Sequence, residues 1–223
     1  MTRIAIITGS TRPRRRAALV AAWVCEVAER HAGARGVTFE TVDLADFDLP
    51  VLDEPIPAAI GEYANEHTRR WASVIDGFDG FIFVTPEYNH SYPAALKNAI
   101  DYLFAEWGDK AAGFVSYGLQ GGVRAVEHLR AAASEVKLAD VRTCVALSLF
   151  GDFTISDMTQ PGEFTPGDHQ EPTLIRMIDE VIAWSAALAP LRAGRTAAGG
   201  APSGEAPTRE TTAGAAAADE VLA

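Results

Sequence analysis

The sequence has very little cysteine. Its 223 residues include only Cys25 and Cys144, which lie far apart and form no C-x-x-C pair. Two isolated thiols build neither a disulfide framework nor a four-ligand zinc site. We therefore interpret both as packing residues. A reducing, cytoplasmic location is expected.

Basic residues and long apolar runs are also scarce. The chain has 19 Lys and Arg against 30 Asp and Glu, a formal net charge of -11. Broad nucleic-acid binding needs a basic face that neutralises phosphates, so we expect no nucleic-acid partner. No apolar run approaches the ~20 residues that span a bilayer. The apolar stretch at residues 4–7 is too short for a signal peptide, so neither membrane insertion nor export is expected.

Several motifs that would fix a reaction are missing. No G-x-x-x-x-G-K-[ST] sequence follows Gly9, and the next glycine after it is Gly33, which excludes a G-x-G-x-x-G turn. There is no G-x-S-x-G elbow. The five histidines lack metal-ligand spacing, so no metal site is predicted. Asp43, after the second predicted strand, is weak evidence for dinucleotide binding without those glycines.

What is present is a regular alternation of apolar strands and amphipathic helices. Strands are predicted at residues 4–8, 37–42, 81–85, 111–116 and 141–147. Helices are predicted between them and near residues 173–191. Five apolar strands alternating with helices predict a parallel sheet covered on both faces, a doubly wound α/β sandwich.

The end of the chain has a different composition. Residues 149–172 show no regular pattern, and residues 193–223 are rich in Ala, Gly and Thr with almost no large apolar side chains. Such a segment cannot bury enough surface to order itself. We therefore predict one domain over residues 1–192 and a disordered tail over 193–223.

Three polar loops leave strands one, three and four: GSTRPRRR, PEYNHSYP and YGLQGG. In an open α/β sheet the carboxyl ends of the strands meet at one edge, and ligands bind there. The three loops are therefore expected to form one site.

The first loop has the composition of a phosphate-binding turn. Gly9 allows a close turn, Ser10 and Thr11 supply hydroxyls, and Arg12 adds a charged fork at a helix N-terminus. Since the triphosphate and dinucleotide motifs are excluded, the remaining candidate ligand for this loop is a single terminal phosphate on a flat cofactor. The alternative is that Ser and Thr merely cap the helix and that Arg14, Arg15 and Arg16 solvate a loop.

The other two loops suit a planar ring. Residues 86–89 combine a proline-fixed backbone, an aromatic face and an amide, while Gly118, Gly121 and Gly122 leave room for close approach. The alternative is that Tyr88 packs in the core and Asn89 forms a turn.

The motifs in these loops resemble the NADPH-dependent FMN reductases of the flavodoxin-like fold. They are G-S-T-R-P at the first helix, P-E-Y-N-H-S-Y-P-A-A-L-K-N-A-I-D after strand three and S-Y-G-x-x-G-G-x-R-A after strand four. The resemblance covers roughly residues 2–150 and implies a three-layer α/β/α sandwich with strand order 2-1-3-4-5. Members often carry Gly after R-P, where this chain has Arg14, so we expect an arginine to replace one phosphate contact.

The resemblance also implies FMN as cofactor, reduction by NADPH or NADH, and a small-molecule electron acceptor such as a quinone, free flavin or azo compound. No side chain is predicted to be catalytic, because the cofactor carries the hydride chemistry. The residues predicted to bind the cofactor are Gly9, Ser10, Thr11, Arg12, Arg14, Arg16, Pro86, Glu87, Tyr88, Asn89, Ser116, Tyr117, Gly118 and Gly121.

A homodimer or homotetramer is implied as well, paired through the helices after strands three and four. Phe104 and Trp107 are its predicted apolar anchors. Two alternatives stay open: a flavodoxin-type electron carrier, and a non-catalytic flavin- or nucleotide-binding protein.

Overall fold

The structure, a computed structural model, describes residues 1–197. A five-stranded parallel sheet has the order β2-β1-β3-β4-β5. Its strands are β1 (Thr2–Thr8), β2 (Val37–Asp43), β3 (Gly80–Pro86), β4 (Lys110–Gly118) and β5 (Leu138–Ser148). The two central strands β3 and β4 are buried along their whole length, as expected for parallel strands covered on both faces. The predicted flavodoxin-like fold and strand order are confirmed.

Five helices cover the two faces of the sheet. They are α1 (Ala17–Ala32), α2 (Glu66–Asp76), α3 (Ala94–Asp101), α4 (Val123–Glu135) and α5 (Gln170–Ala197). Helices α1 and α5 pack on one face and share a core with Ile4, Ile82 and Val115. Helices α2, α3 and α4 pack on the other, around Phe81, Phe83 and other aromatic side chains. No helix in the described range is both long and apolar enough to cross a membrane.

The register places the strand ends at one edge. Thr8 of β1 lies beside Asp43 of β2 and Val84 of β3, and Pro86 of β3 lies beside Tyr117 of β4. The loops that follow β1, β3 and β4 therefore start next to one another, as the sequence predicts.

The segment after β5 differs from its prediction. A short antiparallel pair, β6 (Phe153–Thr154) and β7 (Glu163–Phe164), forms inside the stretch predicted to be irregular. Helix α5 begins at Gln170, earlier than predicted, and continues to Ala197. The rest of the predicted tail, residues 198–223, lies outside the described residues.

Trp107 does not lie where an interface anchor would. Its side chain is fully buried within the protomer, its indole N–H donates to the Ile100 carbonyl at 3.1 Å, and its ring packs against Phe81. Burial in the protomer core prevents Trp107 from anchoring a partner, so this expectation is wrong. Phe104 is partly buried on the same core.

Candidate flavin-binding cleft

A cleft of about 740 Å³ opens at the carboxyl edge of the sheet. Its volume lies within the usual range for small-molecule sites. All three predicted loops contribute to it, together with the segment after β5. The lining residues are Arg12, Pro13, Arg14, Arg15, Arg16, Pro86, Glu87, Tyr88, Tyr117, Gly118, Leu119, Leu149, Met158, Thr159 and Gln160.

The first two loops are joined beneath the cleft by Ser10 and Tyr88. Their hydroxyl oxygens lie 2.9 Å apart, and Ser10 is fully buried. Gly9 donates its N–H to the Val84 carbonyl at 2.9 Å, and a Cβ there would stand 2.9 Å from Leu96 of α3. A side chain at residue 9 would therefore crowd Leu96 and the Val84 carbonyl, whereas Ser10 contacts Tyr88.

Two arginines at the start of α1 have unused hydrogen-bonding capacity. Arg15 pairs with Asp43 at the end of β2, and Arg16 donates to the Gln160 carbonyl at 3.0 Å. The Nε atoms of both are nevertheless buried and find no acceptor among residues 1–197. Arg16 also occupies the N-cap of α1 without a side-chain capping bond to any described residue. Buried N–H groups are rarely left unpaired, and a helix N-terminus favours an anion. The arrangement fits a phosphate group.

Arg12 and Arg14 differ from these two. Both are exposed, and neither guanidinium forms a hydrogen bond or ion pair with another described residue. Arg14 has a left-handed backbone with φ of 55°, which is disfavoured for a residue with a Cβ. Thr11 faces another hollow, of about 250 Å³, lined also by Leu44, Asp48 and Asn98.

The loop after β3 places Pro86 and Tyr88 on the cleft wall. Glu87 lines the same wall, but its carboxylate accepts hydrogen bonds from the backbone N–H of Arg124 at 3.2 Å and from its Nε at 2.7 Å. Glu87 therefore fixes the loop to α4. Asn89 lies outside the cleft lining, in an exposed turn closed by mutual backbone bonds between Tyr88 and Ser91 at 2.8 and 3.0 Å.

In the loop after β4, Tyr117 and Gly118 face the cleft, whereas Ser116 and Gly121 support it from below. Ser116 donates its hydroxyl to the Gly121 carbonyl at 2.7 Å. Gly121 has φ of 75°, and a Cβ there would stand 2.9 Å from Cβ of Ala146. Burial raises the pKa of Tyr117 above its ordinary value, so its phenol stays protonated even in mildly alkaline solution.

One wall of the cleft was not predicted from the sequence. Leu119, Leu149, Met158, Thr159 and Gln160 line it, and all but Leu119 belong to the segment predicted to be irregular. Buried Asp152 holds this segment by accepting bonds from the N–H of Ser148 at 2.7 Å and of Gly167 at 3.0 Å. Phe153 and Phe164 continue an aromatic row from Tyr117 to Trp23. Asp157 before Thr159 signals a turn in the sequence, but nothing in the sequence ties that turn to the cleft.

Within the described part of the chain, no cluster of three or more His, Cys, Asp or Glu side chains could hold a metal ion. The charges that face the cleft from the first loop are cationic, and Glu87 is already paired. This electrostatic pattern favours an anionic ligand.

Comparison with known proteins identifies the family. Residues 2–152 match the family described as NADPH-dependent FMN reductase. The chain is 42% identical over 166 residues to an NAD(P)H-dependent FMN reductase of Schizosaccharomyces pombe, covering 73% of this chain and 82% of that one. It is 34% identical over 134 residues to a quinone reductase of Pseudomonas putida, covering 57% and 67%.

Among solved structures, the fold is similar to a flavoenzyme NAD(P)H:acceptor oxidoreductase of Paracoccus denitrificans. The TM-score is 0.59 at 23% identity, over 84% of this chain and 98% of that one. At this identity the likeness supports the fold alone. The sequence matches carry the family assignment. The chain belongs to the NADPH-dependent FMN reductase family.

Proposed function

We propose that this chain takes electrons from NADPH or NADH, passes them through bound FMN and delivers them to a small-molecule acceptor. Family membership supports the reaction class. The observation that carries the proposal in this chain is the pair of buried Nε atoms of Arg15 and Arg16 at the uncapped start of α1. They supply two unpaired donors at a helix N-terminus, where an anionic phosphate is favoured.

The residues of the cleft divide naturally between the two ends of FMN. Arg15 and Arg16 would hold the phosphate through charge-assisted bonds at the N-terminus of α1. Pro86 and Tyr88 on one side, with Tyr117 and Gly118 on the other, would flank the ring. Ser10 fixes the distance between the two ends through its 2.9 Å contact with Tyr88.

When bound, FMN supplies the hydride and electron chemistry itself. The chain's own task is positioning. Glu87, the carboxylate on the cleft wall, is paired with Arg124, and burial raises the pKa of the Tyr117 phenol, which disfavours its phenolate further. Positioning by these two side chains is therefore proposed without an acid or base role for either.

A small planar acceptor suits the mouth of the cleft. Leu119 and Met158, both more than half exposed, line it together with Leu149. An apolar rim favours quinones over charged acceptors, and a quinone reductase is among the relatives. Free flavin and azo compounds remain within the same class.

The proposal includes a homodimer or homotetramer in the cytoplasm. Phe150, which is exposed and lies outside the cleft lining, supports pairing, since large exposed apolar groups mark interaction surfaces. Cys25 and Cys144 are both free thiols, which suits a reducing compartment. Light scattering at micromolar concentration tests pairing, and a single monomeric species would contradict it.

The reaction itself is tested by colour and by anaerobic reduction. The purified chain should be yellow. Addition of NADPH or NADH without oxygen should bleach the flavin at a rate at least as fast as kcat. Adding a quinone should then restore the colour. Slow bleaching despite bound flavin would indicate an electron carrier served by protein partners. A colourless protein that binds no added FMN would indicate a non-catalytic relative.

A further inference from the structure

The loop between β6 and β7, residues 155–162, is fixed at its base and exposed at its tip. The two short strands pair, and the rings of Phe153 and Phe164 lie 5.0 Å apart at the base. Residues 156–160 are all exposed. Segments with few buried apolar contacts open locally at a low free-energy cost. The position of the tip therefore depends on the individual bonds that it makes.

The bonds inside the loop give it a shape but no fixed position. The carboxylate of Asp157 accepts a bond from the Thr159 N–H at 2.8 Å, and its carbonyl accepts one from the Gln160 N–H at 3.0 Å. In this turn the Gln160 carbonyl accepts a bond from Nη2 of Arg16 at 3.0 Å. That bond joins positions 144 residues apart and ties the tip of the loop to the start of α1.

Arg16 has a second donor available at the same place. Its Nε is buried and unpaired among residues 1–197, and the residue lines the cleft at the N-cap of α1. A guanidinium carries five N–H donors in one plane, so Nη2 can hold the loop while Nε holds an anion. The proposed function assigns that anion to the phosphate of FMN. One side chain can therefore contact both the cofactor and the loop.

The two contacts of Arg16 support each other. A long side chain loses rotamer freedom when it is held, and it loses that freedom once even if it makes two bonds. A charge-assisted bond to phosphate would hold the guanidinium in place, so its bond to the Gln160 carbonyl would form at a smaller entropic cost. Binding that makes a shared element more rigid couples two sites without any change of shape.

We propose that Arg16 is a positioning residue that couples the phosphate of FMN to the loop at residues 155–162. Bound cofactor holds the loop in place through Arg16, and the held loop keeps Met158 on the cleft wall, at the mouth where the acceptor enters. The inference rests on the proposed function, because it requires the FMN phosphate at Arg16. It adds a second role for that phosphate, which is to complete the acceptor site.

The first test is limited proteolysis of the full chain and needs no turnover. Thermolysin cleaves before large apolar residues, and Met158 offers such a site at the tip of the loop. In apoprotein saturated with FMN, cleavage before Met158 should be about fivefold slower or more than in apoprotein saturated with riboflavin, which lacks the phosphate. Inorganic phosphate added to the riboflavin complex should restore part of the protection.

Two arginine variants separate a bridge from general electrostatics. Arg16→Ala saturated with FMN should be cleaved as fast as with riboflavin, because the link to the loop is gone. Arg12→Ala removes the same charge from the same stretch of chain, but the Arg12 guanidinium is exposed and bonds to no residue of the loop at 155–162. Arg12→Ala saturated with FMN should therefore keep the protection.

The second test follows the acceptor in the FMN-loaded protein. Asp157→Ala removes the carboxylate that shapes the loop, and Asp157 lies outside the cleft lining. KM for a neutral quinone should rise about three- to tenfold, while the anaerobic rate of flavin reduction by NADPH or NADH should stay within about twofold of wild type. Asp168→Ala removes another exposed carboxylate of the same segment and should leave both quantities unchanged.

Three results would overturn the inference. Equal cleavage of wild type with FMN and with riboflavin would show that the phosphate does not act on the loop. Protection by FMN that survives in Arg16→Ala would place the coupling elsewhere, and loss of protection in Arg12→Ala would reduce the effect to net charge. If the chain binds no flavin, or the bound flavin is not reduced, the proposed function fails. Inorganic phosphate alone then decides the inference, by whether it protects Met158 in wild type and not in Arg16→Ala.

Discussion

The carboxylate of Glu87 accepts hydrogen bonds from the guanidinium and the backbone N–H of Arg124, which ties the loop after β3 to the first turn of α4. Only 7% of the Glu87 side chain is exposed. The sequence predicted a cofactor contact for Glu87, and the structure gives its carboxylate a protein partner. The bond fixes the position of Tyr88, one residue further along the cleft wall.

Replacing this carboxylate should cost stability. Glu87→Gln keeps the shape but removes the charge of a nearly buried carboxylate whose partner Arg124 is 37% exposed, so we expect a loss of about 1.5–3 kcal/mol, with solvent screening favouring the lower end. For a chain of this size that lowers Tm by roughly 3–12 °C. The control is Arg30→Ala, which breaks an exposed pair with Glu171 and should cost less than about 1 kcal/mol. Equal costs for the two variants would contradict the assigned role of Glu87.

The same pair predicts a pH dependence. Burial by itself would raise the pKa of Glu87, but the hydrogen bonds and charge of Arg124 outweigh it and hold the pKa below its ordinary value. A carboxyl with a lowered folded-state pKa stabilises the protein above its unfolded pKa of about 4.3. That contribution disappears as the pH falls through the folded-state value. The Tm difference between wild type and Glu87→Gln should therefore shrink below about pH 4, as followed by thermal melts. A constant difference from pH 7 to pH 3 would contradict this.

The fold could be predicted because its signals are local and repeated. The apolar run of β3 and the helical spacing of Val20, Val24 and Val27 in α1 each identify one element without reference to the rest. Parallel strands with covered faces then leave few topologies. The meeting of three loops at one edge follows from that topology, and the register of Pro86 with Tyr117 confirms it.

The partners of individual side chains could not be predicted in the same way. Glu87 meets Arg124, and Arg15 meets Asp43, across separations of 37 and 28 residues. The sequence alone does not indicate which distant residue a charged side chain will pair with. The wall built by Met158 and Gln160 depends on buried Asp152, whose role appears only when three chain segments are packed together.

Asp152 should be required for that wall. Asp152→Ala would leave the N–H groups of Ser148 and Gly167 without their side-chain acceptor and would remove one of the two acceptors of the Gln170 amide, at a cost of about 2–4 kcal/mol. We expect faster proteolysis within residues 155–162 and a lower midpoint in urea. Asp157→Ala removes an exposed acceptor of the Thr159 turn and should cost less than about 1 kcal/mol. Identical protease patterns for wild type and Asp152→Ala would refute the anchoring role.

The arginines of the first loop provide the sharpest test of the cleft. If the buried Nε of Arg16 meets the FMN phosphate, Arg16→Ala removes a charge-assisted contact worth roughly 1.5–3 kcal/mol. FMN binding then weakens about ten- to a hundredfold, while riboflavin, which lacks the phosphate, binds wild type and variant almost equally. Arg15→Lys should weaken FMN binding less than Arg16→Ala does, because lysine keeps the positive charge although it lacks the planar, two-pronged guanidinium. Arg12→Ala should change the FMN-to-riboflavin ratio less than Arg16→Ala, since the Arg12 guanidinium is exposed and its contacts are weakened by solvent. The ratio is measured by flavin fluorescence quenching in apoprotein prepared from each variant.

A larger effect at Arg12 than at Arg16 would move the FMN phosphate outward along the loop and leave the two buried donors unexplained. A ratio that no arginine alters would show that this loop holds no phosphate, and the FMN assignment in this cleft would then lack its physical basis.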